Sequence, residues 1–200
     1  MRAIFQRSPS VSHMFAGSVE HIMRDLFGPS DRAFSGFGSF YPLRPIGEGA
    51  WRKGLLERFD ADGCTISEPA LERLIELGEG HPRATMLIAQ QAHLASVQLA
   101  TTEIDSDLVQ VGFERAVAGD RPTMEQTVEA IRKLHKFALP IARGLATGQP
   151  GKRRIHPGVR DRVLKRLETA GIVTHAAWGE WRIINPILKP YLAAQDPLSV

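Results

Sequence analysis

Cysteine is nearly absent. Cys64 stands alone in 200 residues, which excludes a disulfide within the chain and fits a reducing compartment. Long apolar runs are missing as well. The opening MRAIFQRSPSVSHMF holds no stretch of signal-peptide length, and the longest apolar-leaning stretch, residues 85–100, is interrupted by Gln90, Gln91 and His93. The expectation is a cytoplasmic chain with no membrane span. Metal-ligand spacing is lacking too. His156 and His175 have no partners at ligand distance along the chain, and Asp60 and Asp62 sit in a DADG loop without the further ligands of a calcium loop, so that loop reads as a turn. No internal repeat and no low-complexity tract is present.

What is present is enough apolar content, 43%, to build one large core or two or three small ones. Charge is unevenly spread. Residues 1–120 carry 11 Lys/Arg against 16 Asp/Glu, a net of −5, whereas residues 121–200 carry 14 against 6, a net of +8. A basic half of that size suggests a polyanionic partner.

The spacing predicts a short buried strand over residues 11–17 (VSHMFAG), then a helix capped by Ser18 that runs to Phe27 and is ended by Gly28-Pro29. That opening looks like the last part of a parallel α/β core, or else a short lead-in packed on the helices behind it. Residues 48–120 read as four helices: one at 50–59, one capped by Ser67 with Pro69 in its first turn, one at 82–99, and one at 106–118 capped by Asp105. In the third, Leu87, Gln91, Leu94 and Gln98 recur at helical spacing, with Met86, Ile88, Val97 and Leu99 widening the apolar side. Residues 121–200 read as a helix at 125–135, a kink or the start of a second helix at Pro140 running to Thr147, a Gly/Pro loop with the basic run Lys152-Arg153-Arg154, and a helix at 157–170. Strands at 172–175 and 180–184 and a closing helix after Asn185-Pro186 follow. Basic amphipathic helix, hairpin and closing helix together describe a winged helix. The fold expected is mainly α: an α/β remnant, a helical bundle and a C-terminal winged helix with a β-hairpin wing.

The corner Gly78-Glu79-Gly80-His81-Pro82-Arg83 joins the second and third of these helices. Gly78 and Gly80 can take positive φ and stop one helix; Pro82 suits the first position of the next. The free amides there, with the positive end of the helix dipole, favour an anion, and His81 and Arg83 flank them with donors. A plain helix–loop–helix corner is the alternative.

FAGSVEHIMRDLF, GEGHPR and the winged helix, in that order, resemble the back half of AAA+/STAND-type P-loop ATPases of the archaeal and bacterial origin-initiator-like group. The resemblance implies three parts: residues 1–47 as a remnant of the nucleotide-binding core, 48–120 as the helical lid and 121–200 as the winged helix. It implies a nucleotide-sensing set of Ser18, Gly80, His81, Pro82 and Arg83, with Pro82 near an adenine and His81 reaching toward phosphate. It also implies contact with double-stranded DNA or a protein partner. The chain departs from the pattern: it contains no G-x-x-x-x-G-K-[ST] and no apolar strand ending in Asp-Glu before Val11. The phosphate cradle and the Mg²⁺ ligands are thus missing, so the chain should not hydrolyse ATP alone. ATP would bind with a complete core, for instance one lent by a P-loop-bearing chain.

Lys152, Arg153, Arg154, Arg160, Arg162, Lys165, Arg166 and Arg182 are the candidate DNA-binding residues, with a solvated surface as the alternative for Arg160, Arg162, Lys165 and Arg166. Between Thr147 and Pro157 there is no room for a full second helix of a helix-turn-helix, so Lys152–Arg154 would serve as the phosphate clamp instead. A free-standing winged-helix regulator and a protein-binding scaffold remain the competing readings.

Overall fold

The computed structural model describes residues 11–17, 23, 27, 34–35, 38–39, 41, 43, 45–149, 155–177 and 180–194. The chain divides into two compact units, Met1–Arg44 and Pro45–Val200.

In the first unit, residues 11–17 form no strand and are exposed throughout. The expected strand fails for a physical reason: an extended segment is stabilised by its ladder, and no strand among the described residues pairs with it. The rings of Phe15, Phe27 and Phe34 gather with centroids 5.5–5.9 Å apart. Ser18, the expected helix cap, lies outside the described residues.

The second unit is mainly helical, with two small two-stranded sheets. Its first part runs α1 (Glu48–Ala61), β1 (Thr65–Ile66), α2 (Glu68–Gly78), α3 (Pro82–Gln98), β2 (Glu103–Ile104) and α4 (Ser106–Gly119). Asp105 caps α4 as its sequence position predicts, its Oδ1 accepting from the Leu108 amide at 2.9 Å. Ser67 stands at the N-cap of α2, but its side chain makes no cap bond. Its amide goes instead to the Ile104 carbonyl at 3.0 Å, extending a parallel pairing of β1 with β2 that periodicity did not foretell.

The buried face of α3 also differs from expectation. Ala84, Thr85, Ile88, Ala89, Ala92, Ala95 and Ser96 face the core, while Leu94, Val97 and Leu99 are exposed. The cause lies on α4. A Cβ at Gly112 would stand 2.7 Å from the Ala92 nitrogen and 2.8 Å from the Ile88 carbonyl oxygen. The two backbones therefore approach so closely that only small side chains fit between them, and the larger ones are turned outward.

The second part runs α5 (Arg121–Leu134), α6 (Ala138–Thr147), α7 (Pro157–Thr169), β3 (Val173–Ala177), β4 (Glu180–Ile183) and α8 (Leu188–Ala193). Pro140 falls in the first turn of α6, where its missing amide costs nothing. Helix α6 stands before residues 148–156 and α7 after them. Strands β3 and β4 pair antiparallel, Val173 opposite Ile183 and Thr174 opposite Arg182. Met124, Val128, Ile131, Leu139, Ile141, Val163, Leu164, Leu167, Ile183, Ile187 and Leu192 make the buried core of this part. No helix among the described residues is long and apolar enough to cross a membrane.

Candidate functional site

The α2–α3 corner is built by two residues at positive φ, Glu79 at 48° and Gly80 at 72°. Gly78, expected to share that conformation, is instead the last residue of α2, and its lack of a side chain serves packing: a Cβ there would lie 2.2 Å from Thr85 Oγ1. At Gly80 a Cβ would come within 3.0 Å of the Ile46 carbonyl oxygen, so both the φ and the space there favour glycine.

Pro82 opens α3 and His81 is its N-cap, with Nδ1 accepting from the Ala84 amide at 3.1 Å. The side chain of His81 thus satisfies one of the free amides that would otherwise face an anion. Arg83 donates to both carboxylate oxygens of Asp120, at 2.7 and 2.8 Å. Asp120 is buried, caps the end of α4 and opens α5. The Arg83 hydrogen bonds hold its carboxyl below the usual range against the opposing effect of burial, and Asp120 in turn holds Arg83 above its ordinary value. On the other flank Glu79 pairs with Lys189 of α8, and Tyr191 donates to the Val117 carbonyl at 2.5 Å. Gly80, His81, Pro82 and Arg83 are therefore brought together, and both flanks of the corner are tied to the C-terminal part. Their partners Asp120 and Lys189 escaped sequence reasoning. Asp120-Arg121-Pro122 does carry a signal, an N-cap residue just before a helical proline.

His81 is held below its ordinary value, first by burial and then by the nearby Arg83. Its folded pKa being depressed, the unfolded chain takes up the proton first, so stability is full above the unfolded value and falls as pH drops below about 6.5. A doubly protonated ring also loses the Nδ1 acceptor and sets a cation at the positive end of a helix. Urea unfolding from pH 7.5 down to 5 is expected to show this loss in the wild type. In His81→Asn, whose side chain caps without titrating, the slope should flatten; an unchanged slope would mean another group titrates.

The basic residues of α7 divide by orientation. Val163, Leu164 and Leu167 are buried, and Arg160, Arg162, Lys165 and Arg166 are exposed. At 100° per residue, Arg162 and Lys165 share the outward stripe with Gly158 and Thr169, while Arg160, exposed at the start of the helix, lies off that stripe, one turn before Leu164. Arg166 has a partner within the chain, donating to the Leu134 carbonyl at the end of α5 at 3.0 Å. Arg182 is half-buried on β4, and its Nε is buried without a hydrogen-bond partner among the described residues. Lys152, Arg153 and Arg154 lie outside the described residues.

No family model, no curated protein and no solved structure matches this chain.

The helix carrying the basic stripe is braced at both ends. His156 caps it, accepting from the Gly158 amide at 3.3 Å, and Glu168 reaches His175 on β3 at 3.1 Å. The His175 ring in turn lies 3.7 Å, centroid to centroid, from that of Trp181 on β4. Helix α7 and strands β3 and β4 are thus joined through the side chains of Glu168, His175 and Trp181. Of the DADG segment, expected as a turn, Asp60 and Ala61 end α1 and only Asp62-Gly63 turns, with Gly63 at φ 70° and the Asp62 carboxylate 3.5 Å from His93.

Proposed function

We propose that residues 121–200 act as a winged-helix module that contacts duplex DNA through α7, and that residues 48–120 are the lid of a STAND/AAA+-type ATPase carried on the same chain. ATP would be bound only with a complete nucleotide-binding core. The observation that carries the reading is the outward stripe of α7: Arg162 and Lys165 stand opposite a fully buried face, on a helix followed by an antiparallel hairpin. The order α5, α6, α7, hairpin supports it, because α6 supplies the helix that precedes a recognition helix. The connection at 148–156 is longer than the usual turn of about 3–4 residues.

Duplex binding measured from low to moderate salt tests this. Each phosphate contact contributes about 0.9 to the log–log salt slope, so Arg162→Ala with Lys165→Ala is expected to flatten it by nearly two units, about 1.8. Both side chains are exposed, so stability should move by no more than about 0.5 kcal/mol. Arg166 is kept out of the test because it holds the end of α5. No binding at low salt, or an unchanged slope in the double variant, would move the basic face to a protein partner.

A free-standing DNA-binding regulator is the second reading, favoured by one observation. His81 and Arg83 are already engaged by the chain itself, so a nucleotide phosphate would have to displace Asp120 from Arg83. Duplex affinity that responds to ATP when a P-loop-bearing chain is supplied supports the first reading; indifference to ATP supports the second.

A further inference from the structure

Between Glu129 and Asp161 the sequence holds eight Lys/Arg and no Asp or Glu. Folding brings part of that stretch against one side of α7. At 100° per residue, Arg162 and Arg166 flank the buried face of α7 on one side, and Asp161 and Glu168 flank it on the other. A different element stands beside each flank. Arg166 donates to the Leu134 carbonyl at 3.0 Å, which sets the C-terminal end of α5 beside the basic flank. Glu168 reaches His175 of β3 at 3.1 Å, which sets the hairpin beside the acidic flank. The end of α5 and the corner after it carry Arg132, Lys133 and Lys136, all exposed. Lys133 is 75% exposed as a side chain, and its pair with the exposed Glu129 spans 3.9 Å in solvent, so little holds it in place. Lys136 lies over the Phe137 ring, 5.2 Å from its centroid. On the hairpin side Glu180 is exposed, whereas the Nε of Arg182 is buried.

We propose, resting on the reading of α7 as a duplex-binding helix, that the DNA runs from the outward stripe of α7 across its basic flank to the end of α5, away from the hairpin. Lys133 and Lys136 then hold backbone phosphates beside the groove that α7 enters. Charge decides the direction. A polyanion laid toward the hairpin would pass Asp161, Glu168 and Glu180. Laid toward α5, it passes Arg162 and Arg166 and then the three cations at the end of that helix. Lysine suits this place, because its ammonium is a point charge on a flexible stem that turns to meet a phosphate. Contacts of that kind fix register and orientation on the duplex and carry no sequence information. Arg166, bound to the Leu134 carbonyl, has the positioning role: it holds α5 and α7 at one separation, so their cations are presented together.

Salt titrations of the full chain on two duplexes of unrelated sequence test the proposal. Lys133→Ala with Lys136→Ala is expected to flatten the log–log salt slope by nearly two units, about 1.8, and equally on both duplexes. Helical circular dichroism should be unchanged, since both side chains are exposed. Acetylation of the wild-type chain gives a second measurement that needs no substitution. Bound duplex should protect Lys133, Lys136 and Lys165, and leave Lys53 on α1 as reactive as in the free chain. If Arg162→Ala with Lys165→Ala flattens the slope while the Lys133 and Lys136 pair leaves it unchanged, the α7 reading stands and the path toward α5 is overturned. Acetylation of Lys133 and Lys136 undiminished in the complex would overturn that path as well. A wild type that binds neither duplex at low salt would overturn both readings together.

Discussion

Gly112→Ala is expected to destabilise the second unit by about 2 kcal/mol. The added methyl would stand 2.7 Å from the Ala92 nitrogen, 2.8 Å from the Ile88 carbonyl oxygen and 3.0 Å from the Ala92 Cα. These are backbone atoms of a neighbouring helix, so no side chain can swing aside and α3 must move away from α4. Overpacking of that kind costs about 3 kcal/mol at its upper end, and the better helix propensity of alanine offsets about 1 kcal/mol of it. For a chain of this size the loss corresponds to a melting temperature lower by about 4–8 °C. Gly54→Ala is the control: it lies inside α1 with nothing within 4 Å of the added Cβ, so it should raise stability by up to about 1 kcal/mol. Equal effects from the two substitutions would remove the close approach of α3 and α4 as the cause.

Arg83→Ala is expected to cost nearly as much by a different route. It leaves the Asp120 carboxylate, 7% exposed as a side chain, without its two guanidinium hydrogen bonds. Removing one partner of a fully buried pair costs about 3–5 kcal/mol. The Arg83 side chain is 56% exposed, so solvent screens the pair, and about 2 kcal/mol is the better figure. The sign with pH follows from the depressed carboxyl of Asp120. The stability it contributes is fully present above the unfolded value, near 4, and is lost as pH falls through the lower folded value. The gap between wild type and Arg83→Ala in urea should therefore be full at pH 7 and shrink toward pH 3. A gap of constant size would point to lost packing of the arginine stem instead of the ion pair.

The helices were legible because their signals are local: Asp105 as a cap, Pro82 and Pro157 at first positions, and Gly148 and Gly171 in left-handed conformations at helix ends. The hairpin was legible from its alternation and its turn. The inward face of α3 was not. Size and apolarity singled out Leu87 and Leu94, whereas the face is chosen by a glycine on another helix, which no window on α3 contains. Strands β1 and β2 are two residues each, too short for a period to declare itself. Residues 11–17 failed in the opposite sense, since an apolar run is a strand only when another strand accepts it. In the candidate site, the corner and the basic stripe were visible as composition. Their engagement by Asp120, Lys189 and Leu134 was not, because those partners come from distant positions brought together by packing.

The pairing of Thr65 with Glu103 and Ile66 with Ile104 bears on the order in which the chain can assemble. Parallel neighbours need a crossover, and here the crossover is the whole of α2 and α3. Closing so long a loop for two residues of ladder is entropically unrewarding until the two helices have already docked. The bridge is thus a late event in folding and an early one in unfolding, a clasp that fastens an α2–α3 hairpin formed before it. Interactions that mature after the transition state govern how slowly a protein comes apart and leave the speed of its formation almost unchanged. The backbone bonds from Thr65 to Thr102 and from Ser67 to Ile104 therefore contribute to the kinetic lifetime of the folded bundle, beside the fully buried side chain of Ile104.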